Sequence, residues 1–120
     1  MNSEMIGYTV ERVQYWGNNI FTIFLVSKEE ELGINLIDCF FINDDGIIGK
    51  VIDDYKVQEL GMVHIFITQK RSIDPSKFNS LWLISENKDG KKQFLFNAAF
   101  KEMVISKKID LYNPISEDKY

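Results

Sequence analysis

Apolar and polar positions alternate with a period near two along much of this chain, and Gly, Asn and Asp interrupt the runs. The first run, residues 6–16, alternates at Ile6, Tyr8 and Val10, then slips phase to Val13 and Tyr15. The slip predicts a strand with a bulge near Arg12. A helix would also match Ile6, Val10 and Val13, but Gly7, Thr9 and the valines favour a strand. Gly17-Asn18-Asn19 reads as a turn. Residues 20–27, dense in β-branched and aromatic side chains, read as a second, central strand. A loop from Lys28 to Gly33 leads into a third strand over 34–42. Asn43-Asp44-Asp45-Gly46 is the strongest turn signal, because Asp-Gly tolerates the positive φ of a tight hairpin. Residues 47–52 then return as the fourth strand.

Residues 53–60 predict a short helix, with Asp53 or Asp54 as its N-cap and Gly61 past its end. Residues 62–68 read as a fifth strand. Asp74-Pro75 opens a turn or a single helical turn. Residues 81–85 and 93–96 form strands six and seven around the turn at Asn87-Lys88-Asp89-Gly90-Lys91. Asn97 caps an expected helix over 98–107, with Phe100, Met103 and Val104 as its apolar face and Lys107 and Lys108 at its end. Short connections favour antiparallel pairing. The expected fold is α+β: a predominantly antiparallel, curved sheet or half-open barrel of about seven strands with one or two short helices. Residues 1–114 form the expected single domain and 115–120 a loose, polar C-terminal tail.

Composition agrees with a packed domain. The chain has 120 residues, 45% of them hydrophobic, with nine Phe, five Tyr and two Trp to fill a core. No stretch approaches the roughly 20 apolar residues needed to span a bilayer. No basic segment precedes an apolar one at the start, which argues against a signal peptide. Cys39 stands alone and makes no intrachain disulfide. A cytoplasmic, bacterial setting is therefore expected. Charge is divided: residues 1–60 carry −7 and residues 61–120 carry +3, giving the net −4. Such a split can steer a partner of opposite sign. The acidic balance argues against general binding to nucleic acid or anionic membranes.

The residue types that carry catalysis are sparse. His64 is the one histidine, set in an apolar run, and a structural role is its better account. Lys70 and Arg71 follow it, but nothing in the sequence fixes a nuclease-like geometry. Cys39 neighbours Asp38 and Phe40, the wrong setting for a nucleophile. The loop at 43–46 has some flavour of a calcium site, with Asp54 at the twelfth position, yet Ile48 occupies the place a glycine must take. Phosphate-loop, dinucleotide, nucleophile-elbow, CxxC and RNA-binding signatures are absent from the sequence. Trp16 and Trp82 read as core anchors. No cofactor, no metal and no enzymatic activity are expected.

What is left is surface. With strands three and four joined at Asp44-Asp45, the acids Glu29, Glu30, Glu31, Asp53 and Asp54 fall at the end away from that turn. Together they make a candidate acidic patch for a protein with a basic surface, such as a toxin nuclease domain. The expected function is neutralisation of another macromolecule by direct contact, as an immunity protein does for a bacterial toxin. A phage-type inhibitor of a host defence enzyme fits the same features. A different class is a small-molecule or enzymatic pocket lined by Phe21, Phe24, Phe40, Phe66, Phe94 and Phe96. A third is a subunit that self-assembles through a strand edge.

Overall fold

The computed structural model describes residues 5–28 and 30–107. Their architecture is mixed α+β and mostly antiparallel, with eight strands in two four-stranded sheets that do not close into a barrel. The first sheet has the order β1-β2-β3-β8, from β1 (Thr9–Gly17), β2 (Ile20–Val26), β3 (Glu31–Ile37) and β8 (Glu102–Ser106). The second has the order β4-β7-β6-β5, from β4 (Phe41–Asp44), β5 (Asp54–Gln58), β6 (Asn79–Glu86) and β7 (Lys92–Phe100). One helix, α1 (Met62–Arg71), joins β5 to β6 by way of a 3-10 turn, Pro75–Lys77. Asp74 caps that turn by accepting from the Ser76 N–H and hydroxyl, which lowers its carboxyl below the usual range.

The sheets face each other across one core. Side chains alternate along a strand, so β2 sends Phe21, Ile23 and Leu25 inward while β7 sends Phe96, Ala98 and Phe100 to meet them. Phe21 and Phe96 stack across the gap, centroids 6.2 Å apart. The other face of the first sheet is closed by its own polar ladder. Trp16 Nε1–H donates to Thr22 Oγ1, Thr22 donates to Asn35 Oδ1, and Asn35 donates to the Val104 carbonyl. Arg12 lies 3.7 Å above the Phe24 ring on that side.

Two adjacent crossings link the sheets. Asp38 takes a left-handed φ of 54°, which ends β3, and Phe40 N–H then bonds the Ala99 carbonyl to enter the second sheet. Past β7, Lys101 N–H bonds the Ile37 carbonyl and returns the chain to the first sheet. Asn18 and Asn19, both at positive φ, make the tight β1–β2 hairpin.

Several expectations hold. The β1–β2 register shifts between Val10 and Arg12, where the phase slip placed a bulge. Residues 87–91 are the β6–β7 hairpin turn, and residue 74 precedes a helical turn. Others are corrected. Residues 62–68 belong to α1 and not to a strand. Residues 54–58 are strand β5 and not a helix. Residues 98–107 continue β7 and form β8, with no helix. Residues 34–42 divide at Asp38 into β3 and β4, and Glu31 to Gly33 join β3 instead of a loop. Residues 47–52 do not pair with β4. Asp44 Oδ1 takes the N–H groups of Gly46 and Ile47, and the chain leaves for β1, touching it by the Thr9–Val51 bridge. The expected tail, 115–120, lies outside the described residues.

Phe96 is 1% exposed at the centre of this sandwich. Phe96→Ala removes its transfer free energy and leaves a cavity facing Phe21. A loss of about 3–5 kcal/mol in unfolding free energy is expected, read by urea denaturation with an unchanged slope.

Candidate functional site

The sequence of α1, Met-Val-His-Ile-Phe-Ile-Thr-Gln-Lys-Arg, is apolar in composition yet packs through its polar residues. His64 and Thr68, one turn apart, are its two buried residues. The opposite face carries Met62, Val63 and Phe66, which are 89%, 62% and 57% exposed. An ordinary surface helix has the reverse arrangement.

Hydrogen bonding accounts for the inversion. Gly61 N–H donates to His64 Nδ1 at 3.0 Å, so Nδ1 must be the unprotonated nitrogen. Nε2 then carries the hydrogen and donates to Asn97 Oδ1 at 2.6 Å. Asn97 in turn donates to the Leu81 carbonyl at 3.0 Å. Phe41 and Trp82 flank the imidazole at 5.0 and 6.2 Å between ring centroids. The helix therefore lies on the outer face of the second sheet, over β4, β7 and β6. Ser80 holds the approach to it, donating to the Glu59 carbonyl at 3.0 Å while accepting from Trp82 Nε1–H at 3.1 Å. Ser72, left-handed at φ 57°, ends the helix, and Ile73 N–H bonds the Thr68 carbonyl.

Beside the exposed helix face is an open cleft of about 440 Å³ lined by Glu59, Leu60, Ile65, Pro75, Phe78 and Asn79. Ile65 belongs to both surfaces. Two exposed rings each carry a lysine. Lys70 Nζ lies 5.1 Å from the Phe66 centroid, and Lys56 Nζ lies 5.7 Å from that of Phe94. Phe94 is 53% exposed and stands edge-on to Trp82.

The acids singled out in the sequence sit elsewhere. Glu30, at the β2–β3 turn, accepts from Tyr8 Oη at 2.8 Å and pairs with Lys107 at 3.8 Å. Glu31 opposes Val26 at the start of β3 and is exposed. Asp53 accepts the Glu86 N–H, and Asp54 opposes Ile84 in the other sheet. Glu29 lies outside the described residues. The hairpin that was to gather these acids does not form. The link between the two groups is instead the start of β1, where Thr9 pairs with Val26 on one side and Val51 on the other.

The remaining candidates resolve by placement. His64 is a structural residue with both ring nitrogens occupied. The six phenylalanines line no common pocket: Phe21 and Phe96 fill the core, Phe24 lies under Arg12 beside Trp16, Phe40 packs on Phe78, and Phe66 and Phe94 face solvent. Trp16 and Trp82 are half-buried. Among the described residues no group of three His, Cys, Asp or Glu is placed to hold a metal ion, and no helix is long and apolar enough to cross a membrane. Burial pushes the Cys39 thiol from the usual 9.0 to about 11. The exposed face of α1 was missed in the sequence, because apolar residues in a presumed strand read as core. The signals that could have found it are Gly61 before the run and the basic pair Lys70-Arg71 closing it. Comparison with known proteins finds no matching family model, curated protein or solved structure.

Two measurements check this account. In His64→Ala the Asn97 oxygen and the Gly61 N–H lose their partners, which is expected to cost about 1–3 kcal/mol. Hydrogen exchange in α1 should accelerate more than exchange in β2 or β7. Cys39 should resist a thiol-specific reagent at pH 8 in the folded protein and react once it is unfolded. Its folded pKa is raised, so its contribution to stability is complete below 9.0 and is lost as pH climbs toward about 11.

Proposed function

We propose that this protein works by direct contact with another macromolecule, through the outer surface of α1. The observation that carries the reading is the inversion of that helix. Leaving a large apolar side chain in water forgoes about 1.5–3 kcal/mol relative to burial. Met62, Val63 and Phe66 forgo it together, on a helix whose polar face is held inward by hydrogen bonds. A partner that covers them recovers that free energy on binding. Clustered exposed apolar side chains on one rigid element are the usual form of such a surface.

Within this reading the finer function is neutralisation, as by an immunity protein acting on a bacterial toxin nuclease or an inhibitor acting on a host defence enzyme. The charge distribution supports it. Between described residues the one ion pair is Lys107–Glu30, and it is solvent-exposed. The surplus acids of the first half are therefore not cancelled inside the fold, and their field is available to speed encounter with a basic target. Glu31 and Asp54, which make no ion pair between described residues, would supply that steering while α1 supplies contact area.

The test is affinity capture of the tagged protein from its native host at low and moderate salt, beside two variants. A stoichiometric partner should be retained by the parent chain and lost from Met62→Ser/Phe66→Ser. In Glu31→Gln/Asp54→Asn the same partner should bind several-fold more slowly at low salt, with the difference vanishing at high salt. Retention of the partner by the helix variant would remove α1 from the function. Unchanged association in the acid variant would remove the steering role.

A further inference from the structure

Resting on α1 as the contact surface, we infer that its partner, basic elsewhere, presents to α1 an amphipathic helical segment whose apolar stripe is bordered by carboxylates. The shape and charge of the surface both point that way. Met62, Phe66 and Lys70 recur at four-residue spacing along the outward face. Val63 widens the stripe on one side. On the other, Ile65 continues it into the cleft walled by Pro75 and Phe78. A crest beside a cleft of this kind receives a helix that lays one apolar face along the crest and drops an anchor side chain into the hollow.

The helix end of this surface is basic, although the chain as a whole is acidic. Lys70 and Arg71 close α1 and Lys77 ends the turn that walls the cleft, while Lys56 over Phe94 is offset by Asp45 in the hollow beside that ring. Asp74 caps that turn and keeps its charge, so Glu59 and Asp74 are acids on the cleft side, and the cationic border of the surface is the helix end at Lys70 and Arg71. A second copy of this chain fits less well. In an antiparallel helix pair, Lys70 and Arg71 would face the electropositive N-terminus of the other α1, and in a parallel pair they would face each other. Carboxylates bordering a foreign apolar stripe meet these cations without that repulsion, and their pairing fixes the register of the complex.

The probe is a set of fluorescein-labelled helical peptides with one leucine stripe. One has a glutamate rim, one a lysine rim, and one has the glutamate rim with the leucines replaced by serine. Anisotropy titrations against the full chain should rank the glutamate-rimmed leucine peptide about tenfold or more above the others at low salt, with the gap narrowing as salt rises. Met62→Ser/Phe66→Ser should abolish its binding. Lys70→Glu/Arg71→Glu should reverse the preference to the lysine-rimmed peptide, a gain that misfolding cannot produce. Equal or weaker binding of the glutamate-rimmed peptide overturns the inference. A dimer in sedimentation that disperses in Met62→Ser/Phe66→Ser overturns it in favour of self-association. Tighter binding of a single-stranded oligothymidylate at the same residues overturns it in favour of nucleic acid. If the captured host partner depends on Met62 and Phe66 while the peptide ranking fails, the assigned chemistry falls and the contact surface stands. If capture ignores those residues, the contact surface falls as well.

Discussion

The hydrogen bond from His64 Nε2–H to Asn97 Oδ1 decides how the outer layer of this protein is oriented. Asn97 lies in β7 between Phe96 and Ala98, both committed to the sandwich core. Alternation along a strand therefore turns Asn97 to the other face, where α1 must meet it. A buried amide without a partner is costly, so the helix has to bring a polar group to that point. His64 is that group, and its second nitrogen is already spent on the helix N-terminus. Once residues 64 and 68 face inward, helix geometry leaves 62, 63 and 66 outside. The exposed apolar surface is thus a geometric consequence of satisfying one asparagine.

β7 is correspondingly the strand on which the layers converge. Its inward residues complete the core with β2, and its outward residues Asn97 and Ala99 lie on the helix side. Its end passes through Lys101 directly into the first sheet. Both faces of its second half, Phe96 to Phe100, are buried, so a one-residue slip would put Asn97 into the hydrocarbon core and Phe96 against His64. The β6–β7 register, fixed by the turn at 87–91 and a shift between Leu83 and Ile84, protects against this.

The elements legible in the sequence were those settled by neighbours along the chain. The bulge near Arg12 shows in the phase of five residues, and the Asn87–Gly90 turn in its own side chains. Elements settled by distant partners were misread. Val63, Ile65, Phe66 and Ile67 form an apolar run broken only by His64, which has no clear period and suits a buried strand as well as a helix. Ala98 and Ala99 after an asparagine imitate a capped helix, yet Phe94, Phe96, Ala98 and Phe100 sustain a period of two. Asp44-Asp45-Gly46 does turn the chain, but β4 takes β7 as its neighbour, which no local pattern announces. The candidate surface shared the fate of α1. Its residues are core-like in type, and only their placement relative to Asn97 puts them in water.

The order β1-β2-β3-β8 has a consequence for how the protein is made. The first sheet is begun by the chain's earliest strands, but its fourth member, β8, is synthesised after every strand of the second sheet. Until residues 102–106 leave the ribosome, β3 is an uncovered edge with Leu32, Ile34 and Leu36 on one face. Closing that edge joins positions such as Ile34 and Ile105, a pairing of high sequence separation that contact-order arguments place among slow steps. A nascent chain therefore carries an adhesive strand edge uncovered from the completion of β3 until β8 follows, and edges of that kind are where unfinished chains aggregate.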